Sequence, residues 1–295
     1  MQKYYGLFLG SFTGYWDYLK GEILYPGWHN YFYWLLGLSL AVWLLEIIVP
    51  WRKGQSVFRK DFWLDGFYMF FNFFLFSLIG YNALSNIGVQ AFQDFLGLFG
   101  ITNLVAVNVA TWPHGLQLLT MFVIADFTQW NVHRWLHKVP ALWEFHKVHH
   151  SVKEMGFAAH LRFHWMETII YKSIQYIPLA MIGFGIDDFF LVHIFTVAIG
   201  HLNHSNVYLT YGPLKYIFNN PAMHIWHHAK HLPEGSAGVN YGLSLSVWDY
   251  LFGTAYLPSD GRDIELGFPK DEGFPNRFLS QVAYPFIKKK GNEGF

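Results

Sequence analysis

Histidine is the residue type through which this sequence can do chemistry. Fourteen of its sixteen histidines lie between His133 and His231. His133-x3-His137 is followed by His146-x2-His149-His150, then His201-x2-His204, then His224-x2-His227-His228. Residues three and four apart share a helix face, so each cluster is expected to aim its imidazoles at one point. Neutral imidazole is the commonest side-chain metal ligand and suits iron, copper, zinc and nickel. Ten convergent imidazoles exceed what one ion can use, so the pattern implies two ions. A structural zinc closes with four ligands, and cysteine is absent, which removes thiolate zinc, iron–sulfur clusters, disulfides and a cysteine nucleophile. Two redox-active metals beside a membrane would suit activation of O2 and attack on an unactivated C–H bond. Asp126 stands two helical turns before His133 and is expected to accept a hydrogen bond from a ligand, which would fix its tautomer.

The elements that must position these residues read as membrane helices. The chain of 295 residues is 53% hydrophobic and 21% aromatic but only 14% charged, against about 25% charged in soluble domains. Its net charge of zero argues against a nucleic-acid partner. Spanning a bilayer takes about 20 mostly apolar residues. Tyr31–Val49, Phe67–Ile87, Gly115–Trp130, Thr168–Phe184 and Phe189–Gly200 are candidates, the last two being short enough to form one tight hairpin instead. Residues 91–113 read as a re-entrant or interfacial piece, and 1–30 as an interfacial amphipathic segment without a cleavable signal peptide.

Lys and Arg orient these spans. With five spans and an external N-terminus, eighteen of the twenty fall on one side, which the positive-inside tendency makes cytoplasmic. Every histidine cluster lies on that side. The expected fold is therefore all-α: a multi-pass transmembrane bundle of four to five spans with a cytoplasmic helical cap carrying a dimetal site. The chain, 1–295, reads as one domain with its catalytic core at about 120–255.

The motifs Asp126-x3-Trp130-x2-His133-Arg134-x2-His137, Leu142-Trp143-x2-His146-x2-His149-His150-Ser151, Arg162-x-His164-x2-Glu167, His204-Ser205-Asn206, Pro221-x2-His224-x2-His227-His228, Asn240-Tyr241-Gly242 and Trp248-Asp249-x2-Phe252-Gly253-Thr254 occur in this order. Together they closely resemble the fatty acid hydroxylase/sterol desaturase superfamily of membrane enzymes. The resemblance implies a non-haem di-iron centre held by histidines on the cytoplasmic face, O2 as co-substrate and an external electron donor. It implies hydroxylation or desaturation of a lipid: a fatty acyl chain, a sterol or an ether lipid. The donor would be a separate protein, ferredoxin or cytochrome b5-like, and the membrane a bacterial inner membrane or the endoplasmic reticulum. The ligands are then His133, His137, His146, His149, His150, His201, His204, His224, His227 and His228, with Asp126 and Glu167 as supporting carboxylates. The sequence departs from the family pattern at Trp165, where proline is usual, and at Trp130, where tyrosine is common. His201 is not a fixed feature of the family.

Other residues receive blander expectations. His160 and His164 are either accessory groups or interfacial histidines, and His193 is a helix-bonded or tunnel-wall residue. His231 is expected to be solvated, Glu46 to meet an interfacial Arg, and Asp249 and Asn240 to fold the cap. A non-oxidative zinc protein and a bis-histidine haem carrier are the rival classes. Sequence leaves hydroxylation and desaturation unseparated.

Overall fold

The computed structural model describes residues 2–75, 82–101, 105, 107–182, 184 and 186–287. Among these the chain is helical, with no strand and two isolated bridges, Phe218 to Leu245 and Ala229 to Leu266. The all-α expectation holds.

Four helices precede the histidine region: α1 (Gln2–Leu24), α2 (Tyr31–Ile48), α3 (Phe62–Phe70), which continues as a π-helical turn at Phe71–Leu75, and α4 (Asn82–Gly97). Helix α1 lies along α4 and is tied to it by Lys3 Nζ and Tyr4 Oη, 2.7 and 3.0 Å from the Asp94 carboxylate. The corner into α2 is set by buried Glu22, which accepts from Asn30 Nδ2 at 3.0 Å and the Phe32 amide at 3.2 Å. Helix α2 is, among the described residues, the one helix long and apolar enough to cross a membrane. The expected span at Phe67–Ile87 lies partly outside the described residues.

Helix α5 (His114–Lys138) runs unbroken from the apolar stretch at 115–130 into the histidines that follow. It stops at Val139, which precedes Pro140; a residue before proline is pushed out of the α region, and proline then serves as the first residue of α6 (Pro140–His150). That break folds α6 back against α5, so His133 and His137 face His146 and His150. A 3₁₀ turn (Phe157–Leu161), α7 (Trp165–Ile182) and α8 (Ile186–Asn203) follow, and both long helices pack against α5. Met121 and Ala125 of α5, Leu179 of α7 and Val192 of α8 share one buried cluster. Tyr31 and Leu35 of α2 share another with Leu161 and Val197.

The described residues after α8 carry three short α-helices: α9 (Pro221–His227), α10 (Val247–Leu251) and α11 (Phe278–Ile287). Seven residues cannot sustain a helix alone, so α9 depends on its ends. The Asn220 side chain accepts from the Met223 amide at 3.0 Å, and Pro221 occupies the first helical position.

Candidate metal centre

Nine of the ten histidines expected as ligands are drawn together, in two groups. His133, His137, His146, His150 and His227 form one; His149, His204, His224 and His228 form the other. Within each group the potential ligand atoms all lie within 4.8 Å of one another, near the roughly 3–4 Å between nitrogens bound to one ion at about 2.1 Å. The groups adjoin, with the His150 and His228 rings 4.5 Å apart and those of His227 and His228 5.1 Å apart. All nine are buried.

The division corrects the expectation that each HxxHH cluster aims at a single point. His146 and His150, four residues apart, enter the first group while His149 enters the second. His224 and His228, also four apart, enter the second group while His227 enters the first. Each residue turns the helix by about 100°, so neighbours at 149/150 and 227/228 cannot face the same way. Each HxxHH segment therefore bridges both groups.

Carbonyls fix the ring orientations. His133 Nδ1 lies 2.7 Å from the Tyr241 carbonyl, His137 Nδ1 3.3 Å from Ala237, His149 Nδ1 3.1 Å from Arg162, His204 Nδ1 2.7 Å from Gly200 and His227 Nδ1 2.7 Å from Val239. A carbonyl only accepts, so each of these Nδ1 atoms carries the hydrogen and each Nε2 is a bare lone pair. His149 Nε2 and His204 Nε2 nevertheless stand 3.2 Å apart. No arrangement of neutral rings makes that contact a hydrogen bond. Charging one ring is opposed by burial, which brings His149 down to about 3, with His133 the next cause, and holds His204 well below the usual histidine range. Burial likewise lowers His133 to about 4. Five further ring nitrogens, Nε2 of His137, His150 and His227 and both nitrogens of His228, are buried without a partner. Each would cost about 1–3 kcal/mol if left so. Lone pairs converging in a dry pocket are what a cation satisfies, and the donor set fits two imidazole-bound metal ions.

Glu167 lies beside the first group: its Oε2 is 2.7 Å from His146 Nδ1, and its Oε1 accepts the His164 amide at 3.1 Å. His146 Nε2 stands 3.1 Å from His133 Nε2, so a charged Glu167 would bare both lone pairs toward the first group. Asp126 does not meet a histidine. It accepts from the Ser244 and Leu245 amides at 3.1 and 3.3 Å and from Trp248 Nε1 at 3.0 Å, because the cap segment 244–248 lies over its face of α5. Nor does the structure bring His201 to either group. Its Nε2 is 3.1 Å from Ser39 Oγ on α2 and its Nδ1 3.1 Å from His160 Nδ1. His201 lies one turn short of His204, and α2 and His160 take up its ring.

His160 itself stacks 5.1 Å from the His204 ring at the margin of the second group. His164 is bonded away from the site, accepting from the Met166 amide and facing the Val282 carbonyl at 3.0 Å. His193 stacks on Tyr31 at 4.9 Å, and His231 is exposed. Among the described residues Glu46 makes no direct ion pair with an arginine, though the Arg59 charge acts on it; one oxygen accepts both the Phe157 and Asn206 amides at 2.8 Å, bracing the two segments that flank the second group.

The carbonyl shell went unrecognised at the sequence level, although its motif was visible. Asn240 adopts a left-handed φ of 50°, tolerated by asparagine, and its side chain bonds Met223 and Tyr256 backbone groups at 2.7–2.8 Å. At Gly242 a side chain would strike the Leu245 carbonyl. Asp249 then gathers the Tyr241 amide at 2.9 Å, the Gly242 amide at 2.8 Å and Trp130 Nε1 at 3.0 Å. The turn so fixed presents the Val239 and Tyr241 carbonyls to His227 and His133, which is the cap-folding role expected of Asn240 and Asp249.

Residues 118–254 match the fatty acid hydroxylase family. The chain is 37% identical to ornithine lipid hydroxylase OlsE of Rhizobium tropici over 182 residues, covering 62% of this chain and 54% of that protein. It is 28% identical to human alkylglycerol monooxygenase over 229 residues, covering 73% and 45%. It is 27% identical to Delta(7)-sterol 5(6)-desaturase of Eremothecium gossypii over 252 residues, covering 81% and 67%. The chain thus spans about half the length of the first two relatives. No solved structure matches.

Proposed function

We propose that this chain, whose residues 118–254 match the fatty acid hydroxylase family, is a membrane di-iron enzyme that hydroxylates a lipid C–H bond. The reaction consumes O2, two electrons and two protons, puts one oxygen atom into the substrate and releases the other as water. The observation that carries the reading is the contact between His149 and His204, whose bare Nε2 lone pairs stand 3.2 Å apart with no proton to share.

His133, His137, His146, His150 and His227 would hold one iron, and His149, His204, His224 and His228 the other. Bound iron supplies the O2 activation and hydrogen abstraction that no protein side chain performs. The chain's own residues hold the rings. Backbone carbonyls at 200, 237, 239 and 241 keep the hydrogen on Nδ1, Arg162 does the same for His149, and Glu167 for His146. Burial keeps the imidazoles neutral and the site dry. Ornithine lipid, alkylglycerol and sterol are named by the relatives, which supports a lipid as substrate. Electrons would come from a separate ferredoxin or cytochrome b5-like protein docking on the cytoplasmic face. Helix α2 and the apolar stretches of the chain would cross the membrane in four to five spans, leaving the histidine groups at its cytoplasmic edge.

The sterol desaturase relative makes desaturation the second reading, since the same centre can remove a second hydrogen instead of delivering oxygen. The test is turnover of a lipid extract by the iron-loaded protein with ferredoxin, its reductase and ¹⁸O2, read by mass spectrometry. Gain of one labelled oxygen is expected. Loss of two hydrogens would assign the desaturase, and no change in any lipid by protein carrying two irons would defeat the reading.

A further inference from the structure

A cleft of about 870 Å³ opens where α2 ends, walled by Val49, Trp51, Arg52, Lys53, Tyr208 and Arg262. Arg52 is its unusual member. Its Nε donates to the Arg262 carbonyl at 2.8 Å, and its guanidinium lies 4.7 Å over the Trp51 ring. Both terminal nitrogens, Nη1 and Nη2, are shielded from solvent and have no hydrogen-bond partner. Asp263 and Asp260 act on it only from a distance. Burial lowers Arg52 to about 10, opposed by those two carboxylates, so it remains a cation at neutral pH. Two buried guanidinium nitrogens without a partner are costly, and their planar fork of N–H donors matches a two-oxygen anion.

The position of the cleft indicates what kind of molecule carries that anion. Its floor follows directly on α2, the helix of membrane-spanning length, and Trp51 and Tyr208 pack at 5.1 Å along that floor. Its wall is also joined to the second histidine group. The Trp51 amide donates to the Asn206 carbonyl at 2.8 Å and the Arg52 amide to Asn206 Oδ1 at 2.9 Å, two residues beyond His204. Exposed Lys53 and Arg262 add positive charge at the mouth, while Glu154 and Asp263 on the same wall disfavour a multiply charged anion.

We propose that this cleft is an oxyanion site for a lipid headgroup, taking a phosphate monoanion or a carboxylate on Arg52 and directing the attached chain along α2 toward the histidine groups. This deepens the lipid hydroxylase reading by naming the substrate as a polar lipid with an anionic or zwitterionic head, and it rests on that reading for the fate of the chain.

Calorimetric titration of the full-length protein in neutral detergent tests the site without calling on turnover. The probes are short-chain phosphatidylglycerol, short-chain diacylglycerol as its neutral counterpart, and inorganic phosphate. Saturable binding of phosphatidylglycerol is expected, with diacylglycerol weaker. Arg52→Gln should weaken it at least about tenfold, the scale of one charge-assisted hydrogen bond. Arg52→Lys should fall between, because the charge stays and the fork is lost. Lys60→Gln, an equal charge change outside the cleft wall, should bind as the parent does. Inorganic phosphate binding as tightly as phosphatidylglycerol would overturn the lipid assignment in favour of a free anion. Equal binding of diacylglycerol, or undiminished binding by Arg52→Gln, would overturn the oxyanion site itself. A protein that passes here but never oxidises lipid would refute the hydroxylase reading alone.

Discussion

Arg162 holds His149 through its backbone and is itself held through its side chain. Its carbonyl lies 3.1 Å from His149 Nδ1, and its guanidinium, 1% exposed, binds Asp65 Oδ1 at 3.0 Å, Asp61 Oδ2 at 3.1 Å and Ser151 Oγ at 2.9 Å. Asp65 also binds Arg59. The HxxHH segment is thus clamped at His149 and at Ser151, from α3 through one arginine.

Removing the Asp65 charge should release that clamp. Asp65→Asn leaves Arg59 and Arg162 buried with too little negative charge, a change that typically costs about 3–5 kcal/mol. Thermal denaturation should show the loss, and metal titration should show weakened occupancy of the four-histidine group ahead of the five-histidine group. Unaltered stability and metal affinity would mean that Arg162 needs no partner.

The two carboxylates expected near the site should behave differently. Glu167→Gln replaces the carboxyl group facing His146 Nδ1 and should weaken metal binding by about 10–100-fold. Asp126→Asn disturbs only the bonds to Ser244, Leu245 and Trp248. It should cost about 1–3 kcal/mol of stability and leave metal affinity nearly unchanged. A parallel effect of both substitutions on affinity would contradict the placement of Asp126.

His149→Ala should abolish turnover while the protein still folds and inserts, since it deletes one of the four nitrogens of its group. Elemental analysis should report fewer than two irons per chain with the first group still filled. His201→Ala should retain both ions, because His201 lies against Ser39 and His160 and not in either group.

Acid should destabilise the fold through His164 as well as through the ligands. Burial holds His164 at about 4, while the bond to the Val282 carbonyl opposes that shift. Its Nδ1 must stay unprotonated to accept from the Met166 amide. The unfolded chain takes up this proton near pH 6.5, so the stability is fully present above about pH 6.5 and is lost as pH falls toward about 4. Melting curves across that window should be steeper in pH for the parent than for His164→Gln. Identical slopes would rule His164 out as a contributor.

The local chain carried much of this. Histidine number, the absence of cysteine and the spacing of the clusters carry the expectation of imidazole ligands and of two ions, because imidazole content and helical period are properties of consecutive residues. The break at Val139–Pro140 and the Asn220–Pro221 helix start are local as well. What spacing could not decide was which histidine joins which partner. His149 and His150 are adjacent in sequence yet serve different groups, and His227 leaves its own cluster to join His133, since those choices depend on how α5, α6, α8 and α9 cross. The carbonyls that fix the rings come from residues up to 108 positions away, and Asp126, Glu46 and His201 were each claimed by a segment distant in the chain. A side chain's period along a helix gives its direction about that axis. Only packing decides what stands in that direction.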